Sequence, residues 1–240
     1  EKTFVKICLL AIFVVQFYLF SNLTPIANSV TLRVPSDHPT IQKAINVASD
    51  SDEVLVADGT YTGYGNTNID FLGKAIAVRS ESGPEYCVID CENNSRGVYF
   101  HSEEDSNSVL QGFTIKNGAP PGDIAGSSGG GILLEYSSPT ITDCVLIDNY
   151  AIAWGGGIFI SYSSPTISDC TFIGNYATSW GGGILCNHSS PTITDCTFRD
   201  NSSGYGAGGI GCFFSPATIM NCTFEYNTTT WGGGICLHDA

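Results

Sequence analysis

Between Gly129 and Ala240, apolar residues fall in short runs, three to a unit, and the unit returns every 26 residues. In the first unit Ile132 and Leu134 stand two apart, and Ser137-Ser138-Pro139 then interrupts. Thr140-Ile141-Thr142 holds one apolar residue between two polar ones, after which Cys144 and Leu146 again stand two apart. A two-residue alternation predicts half-buried strands, and Ser-Pro predicts the break between them. Ile141 and Cys144 are three apart, so alternation fails between the second and third runs. A bend is predicted there, at Asp143, Asp169, Asp195 and Asn221, residue types that tolerate left-handed backbone.

Four copies of this unit follow one another and a fifth begins at Gly232. Only the last interval is one residue shorter. A fixed period of this size means stacked units that bury their apolar faces against each other. A helical repeat is excluded: each copy carries Ser-Pro or Pro, several Thr and consecutive Gly, and no run has a 3.6-residue period. Three strands and three bends describe one coil of a parallel β-helix. Like residues then stack: Ile132, Ile158, Ile184, Ile210 and Ile235 in one inward column, and Leu134, Ile160, Cys186 and Cys212 in another. Leu146, Phe172, Phe198 and Phe224 form a third, and Asn149, Asn175, Asn201 and Asn227 an amide ladder. With these ladders the repeat resembles the right-handed parallel β-helix proteins of the pectate-lyase-like superfold. The resemblance implies an all-β fold with three-stranded coils and leaves function open.

Residues 1–29 stand apart. Lys2 and Lys6 precede the apolar run Ile7–Phe20, and small and polar residues follow through Ser29, the plan of a secretory signal peptide or, if uncleaved, an N-terminal anchor. In residues 30–60, Ile41, Ala44, Ile45 and Ala48 share one helical face, with Asp37 or Thr40 as N-cap, and the stretch Asp52 to Tyr61 reads as a strand ending at a Gly turn. This pairing looks like the start of pectin-methylesterase-like β-helices, where a short amphipathic helix plugs the open end of the stack. Residues 61–128 predict irregular coils, with strands at Phe71–Val78, Cys87–Asp90, Gly97–Phe100 and Val109–Ile115 and a protruding loop over 118–128. Residues 129–240 are the regular coils. No terminal cap follows Gly234, so further C-terminal sequence or a docking partner is expected.

Acidic residues outnumber basic ones 23 to 9, for a net charge of -14, and beyond Asn117 the only lysine or arginine is Arg199. That charge excludes nucleic acid and anionic membranes as partners, and an acidic ligand would need a bridging metal. The ten cysteines of an exported chain suggest disulfides, yet Cys144, Cys170, Cys196 and Cys222 repeat on the inward face. Stacked thiols are expected there, and Cys87 and Cys91 are the separate candidate bridge.

Candidate chemistry lies in rows. Trp154, Trp180 and Trp231 precede glycine triplets, with Tyr150, Tyr176 and Tyr205 nearby: a stacking surface for sugar rings, or an aromatic ladder that steadies the loops. Asp143, Asp169 and Asp195 would stand about 5 Å apart, a Ca²⁺-binding or carboxylate-pair spacing, or simply three bend residues. Tyr136, Tyr162, His188 and Phe214 share a position assigned to core filling or a corner. Leu133, Phe159 and Leu185 face outward, as an exposed stripe or beneath a loop. The superfold's enzymes match poorly. The Gly-His-Gly and Arg-Ile-Lys strings of polygalacturonase-like enzymes are missing, and the basic residue of pectate-lyase-like catalysis has only Arg199 as counterpart in the regular coils. A secreted or cell-surface, non-catalytic binding or adhesive module is therefore expected, with a polysaccharide or cell-surface glycan as partner. The rival is a lyase or hydrolase of acidic polysaccharide with its site in the irregular coils or in further sequence.

Overall fold

The computed structural model describes residues 29–122 and 127–239 as a parallel β-solenoid. The leader, apart from Ser29, and the tip of the loop over 118–128 lie outside the described residues. Three parallel sheets run the length of the rod. Sheet I takes the first run of each coil: Ile69–Asp70, Val98–Phe100, Ile132–Glu135, Ile158–Ser161, Ile184–Asn187, Ile210–Phe213 and Ile235–His238. Sheet II has eight strands, from Thr31–Val34 to Thr218–Met220, and sheet III seven, from Gly59–Tyr61 to Thr223–Glu225. A small three-stranded sheet joins Tyr150–Ala151, Tyr176–Ala177 and Ser202–Ser203.

Like sits over like. Ile132, Ile158, Ile184, Ile210 and Ile235 are register partners, as are Leu146, Phe172, Phe198 and Phe224. The three phenylalanine rings of that column lie 4.6 and 5.0 Å apart, within 7° of parallel. The bend residues take the left-handed backbone that the alternation break requires, with φ of 51° at Asp143, 54° at Asp169, 55° at Asp195 and 54° at Asn221. The amide ladder forms: Asn149 Nδ2 donates to Asn175 Oδ1 at 2.9 Å, Asn175 to Asn201 at 2.9 Å and Asn201 to Asn227 at 2.9 Å. A second ladder went unpredicted. The hydroxyls of Ser163, Ser189 and Ser215 accept from the backbone N–H of Ser137, Ser163 and Ser189, one coil earlier in each case.

Four expectations are corrected. Tyr136, Tyr162, His188 and Phe214 do not fill the core; they occupy a corner at φ between 47° and 53° and are exposed. A left-handed residue ends the alternation, so strand parity no longer decides its direction. Cys87 and Cys91 are buried, free thiols, not a bridge. The stacked thiols are also free, and each bonds a carbonyl oxygen, as Cys170 Sγ does to Ser168 O at 3.1 Å. The run Phe71–Val78 is not one strand, because Leu72 and Gly73 turn at positive φ and the strand begins at Ala77. Finally, a strand, Thr31–Val34, precedes the capping helix and starts sheet II.

The helix itself, Ile41–Val47, is capped by Thr40, whose hydroxyl accepts from Lys43 N at 3.3 Å, and it buries Ile41, Ala44 and Ile45 over the mouth of the first coil. Lys74 from the next coil closes its other end, donating to Ile45 O, Asn46 O and Ala48 O at 2.6, 3.0 and 2.8 Å.

Candidate functional site on the outer face of sheet I

Strand alternation points Leu133, Phe159 and Leu185 away from the lumen, yet all three are buried. The segments that enter sheet I cover them: Trp154 and Trp180 lie over this stripe, joined by Tyr99 and Phe213 in a second, external cluster. Trp154 packs on Phe159 at 5.4 Å between ring centres. In the fourth copy the pattern breaks twice. Gly206 stands where Trp154 and Trp180 stand, and Gly211 where Leu133, Phe159 and Leu185 stand. Trp180 lies across Gly206, in space a side chain there would occupy. Beside these two positions is a cleft of about 250 Å³ lined by Trp154, Phe159, Trp180, Leu185, Asn187, Phe213 and Phe214. Phe213 meets Trp180 edge-on at 4.6 Å, and Trp231 meets it edge-on at 5.6 Å.

The six aromatic residues singled out from sequence therefore separate. Trp154 and Trp180 form the cleft, and Trp231 borders Trp180 while remaining 72% exposed. Tyr150 and Tyr176 stack on each other at 5.7 Å along the small sheet, so each covers a face of the other. For that pair the self-stacking ladder describes what is seen. Tyr205 is exposed and falls outside that column, where Ser202 follows Tyr176. Asp143, Asp169 and Asp195 mark the corner between sheets II and III, away from the cleft. Among the described residues no three His, Cys, Asp or Glu side chains are grouped so as to hold a metal ion.

Further along the same face, the irregular coils bring together titratable side chains that the sequence reading missed. His101 Nε2 lies 3.2 Å from Asp70 Oδ2, and its ring stacks on Tyr99 at 4.0 Å. The Tyr99 hydroxyl donates to Glu135 Oε2. Desolvation, reinforced by that carboxylate, pushes the Tyr99 phenol up to about 12, so it stays a donor. Arg96 sits below, its guanidinium carbon 5.3 Å from the centre of the Tyr99 ring. Burial lowers its pKa to about 10, and Nε and Nη2 donate to the carbonyls of Gly129 and Ser128 at 2.9 and 2.7 Å. Gln42 of the capping helix fixes the Asp70 backbone from both sides, and Leu72 N–H donates to Asp70 Oδ1 at 2.7 Å. The only signal in the sequence was negative: Asp70, Tyr99 and His101 lie before the repeat, and Glu135 stands at a position of the first copy that later copies do not keep.

A family model described as "Right handed beta helix region" matches residues 41–212 and 123–240. No curated protein matches the chain. Among solved structures, a pectin methylesterase in complex with hexasaccharide VII aligns at 14% identity and a TM-score of 0.45, over 80% of this chain and 66% of that one. The present chain thus spans just under two thirds of that protein's length. A pectin methylesterase from carrot aligns at 12% identity and a TM-score of 0.47, over 88% of this chain and 82% of its own. At these scores neither likeness bears on activity. The family match covers most of the sequence, and its fold is the one seen: the chain belongs to the right-handed β-helix family.

Proposed function

We propose that this chain is a non-catalytic polysaccharide-binding β-helix, exported or displayed at the cell surface, that seats a sugar ring in the cleft beside Trp180. The observation that carries this reading is the double break in the repeat. The aromatic-walled cleft lies beside Gly206 and Gly211, the two positions at which the fourth copy drops the large side chains of its columns. A pyranose presents an apolar C–H face and a rim of hydroxyls, and the cleft answers with indole and phenyl walls and the Asn187 amide at its edge.

The rival reading, cleavage of an acidic polysaccharide, draws on Asp70 and His101. It is disfavoured by charge. The seven strands of sheet I carry no lysine or arginine, and the nearby Arg96 is buried beneath Tyr99. The deciding experiment is a glycan array followed by titration of tryptophan fluorescence. Binding should fall at least about tenfold in Trp180→Ala. Failure of every glycan to bind, or equal binding by Trp180→Ala, would defeat the proposal. Release of reducing ends or unsaturated uronates from a polyuronate would establish the rival.

A further inference from the structure

We infer that the Asp70–His101 and Tyr99–Glu135 pairs form a second, hydrogen-bonding subsite for the same glycan, which must be uncharged and long enough to lie along several coils. This rests on the glycan-binding reading of the cleft. The two regions share one face and one set of columns. Glu135, Ser161, Asn187 and Phe213 are successive register partners, two coil steps from the Tyr99–Glu135 pair to Asn187 in the cleft and three to Phe213. Asp70, Tyr99, Leu133 and Phe159 are likewise partners, three steps from the Asp70–His101 pair to the near wall of the cleft. At about 4.8 Å per step, Asn187 lies about 10 Å from Glu135 and Phe159 about 14 Å from Asp70. An extended pyranose chain advances by about one coil step per residue, so a disaccharide seated against Asn187 and Phe213 stops short of Glu135 and a hexasaccharide passes both pairs.

The chemistry of the pairs sets the ligand class. Ionised Asp70 and Glu135 offer outward acceptor oxygens for sugar hydroxyls. Each keeps a neighbour that holds it in place, His101 for one and Tyr99 for the other. The same two charges repel a uronate; the strands of this face carry no lysine or arginine, and the one cation beside the cluster, Arg96, is buried beneath Tyr99. The cluster is not copied: in later coils the Glu135 column carries Ser161, Asn187 and Phe213, all uncharged.

The test is calorimetric titration of the whole chain with neutral gluco-, xylo- and manno-oligosaccharides of about two to six residues and with galacturonate of about six, in the presence of a calcium chelator. The neutral hexamer that binds should do so at least about tenfold more tightly than its dimer, and at least about tenfold more tightly than hexagalacturonate. Glu135→Ser, which installs the residue found one coil on, should weaken the hexamer about fivefold and leave the dimer unchanged. The double variant Asp70→Asn, Glu135→Gln keeps acceptor oxygens and removes charge. It should hold neutral binding within about threefold and improve hexagalacturonate about fivefold. Equal affinities for dimer and hexamer, hexagalacturonate binding as tight as the neutral hexamer, or indifference of the hexamer to Glu135→Ser would each overturn the second subsite while leaving the cleft intact. No binding of any oligosaccharide would overturn both proposals together.

Discussion

In the regular coils, from Ser127 on, each polar problem is solved once and copied. Every coil places an Asn under the next coil's Asn, a Ser hydroxyl on the preceding coil's N–H, and an Asp or Asn at the same left-handed corner. In the coils before Gly118 no polar ladder runs from coil to coil, and single residues take its place. Glu104, 2% exposed, alone satisfies Gly73 N–H, Ser102 N–H and the Ser137 hydroxyl. Lys74 alone ties down the end of the helix. The copied solution is redundant in kind but continuous, so removing one rung damages two neighbours. The unique solution also bridges coils, Glu104 to Gly73 and Ser137 and Lys74 to the helix, but has no copy on either side. The outer face of sheet I divides in a related way: an aromatic cleft beside the positions where the repeat omits two side chains, and a titratable cluster built mostly from residues before the repeat.

The sharpest way to break that contrast is Asn175→Ala. Asn175 is fully buried; it donates to Leu146 O and Asn201 Oδ1 and accepts from both the backbone and the side chain of Asn149. Its removal leaves Asn149 N–H and the Leu146 carbonyl, both on the preceding coil, without this side chain, while Asn201 Oδ1 keeps the Asn175 N–H. Unsatisfied buried groups cost about 1–3 kcal/mol each, so a loss of about 4 kcal/mol in urea unfolding is expected. A loss under about 1 kcal/mol would mean that the ladder contributes little. On the other side of the contrast, Lys74→Met leaves three helix carbonyls without their cation. The expected loss is about 2 kcal/mol, together with hydrogen exchange accelerated in Ile41–Val47 and unchanged in the Asn ladder.

The same contrast decides what could be read from sequence. The inward columns, the amide ladder and the Asp bends follow from the 26-residue period, because translation by one period is translation by one coil. Nothing comparable aligns the irregular coils. It takes 29 residues to pass from Asp70 to its partner Tyr99 and 34 from Tyr99 to Leu133, so no fixed offset pairs His101 with Asp70 or Tyr99 with Glu135. The Trp154 and Trp180 row was visible, but the cleft was not. It lies beside Gly206 and Gly211, two small residues in a chain already rich in glycine, whose place appears only when their columns are known.

Acid tests one of the unique solutions against its repeated counterpart. Burial pushes the Asp90 carboxyl up, but the Asn117 amide, the Glu92 N–H and Lys116 outweigh it, and the folded value lies below the usual 3.8. Such a group contributes stability above the unfolded value and loses it as pH falls through the folded one. In the regular coils this column continues from Lys116 into Ile147 and Ile173, which do not titrate. Asp90→Asn should therefore cost about 1 kcal/mol at neutral pH, the pair being partly exposed, and nothing once the wild-type carboxyl is protonated. A difference that persists unchanged into strong acid would show that Asp90 acts by packing alone.

The smallest expected change in stability carries the largest change in binding. Gly211→Leu gives the fourth copy the residue type its column has in Leu133 and Leu185. A Cβ on Gly211 would meet Leu185 Cδ1 at 2.8 Å and Ala207 Cβ at 3.3 Å; the first is the free tip of a side chain that can turn aside. Glycine in a strand also forfeits packing and backbone order. The variant should thus be equal to the wild type or more stable, by about 0.5–1 kcal/mol, while the new side chain displaces Leu185, a wall of the cleft, and narrows it. Most substitutions that abolish binding also destabilise, and this one separates the two. Glycan affinity lost alongside a raised melting temperature would tie function to the interruption of the repeat. Affinity retained would mean that the sugar sits elsewhere on the rod and that Gly211 is only a fault in the copy.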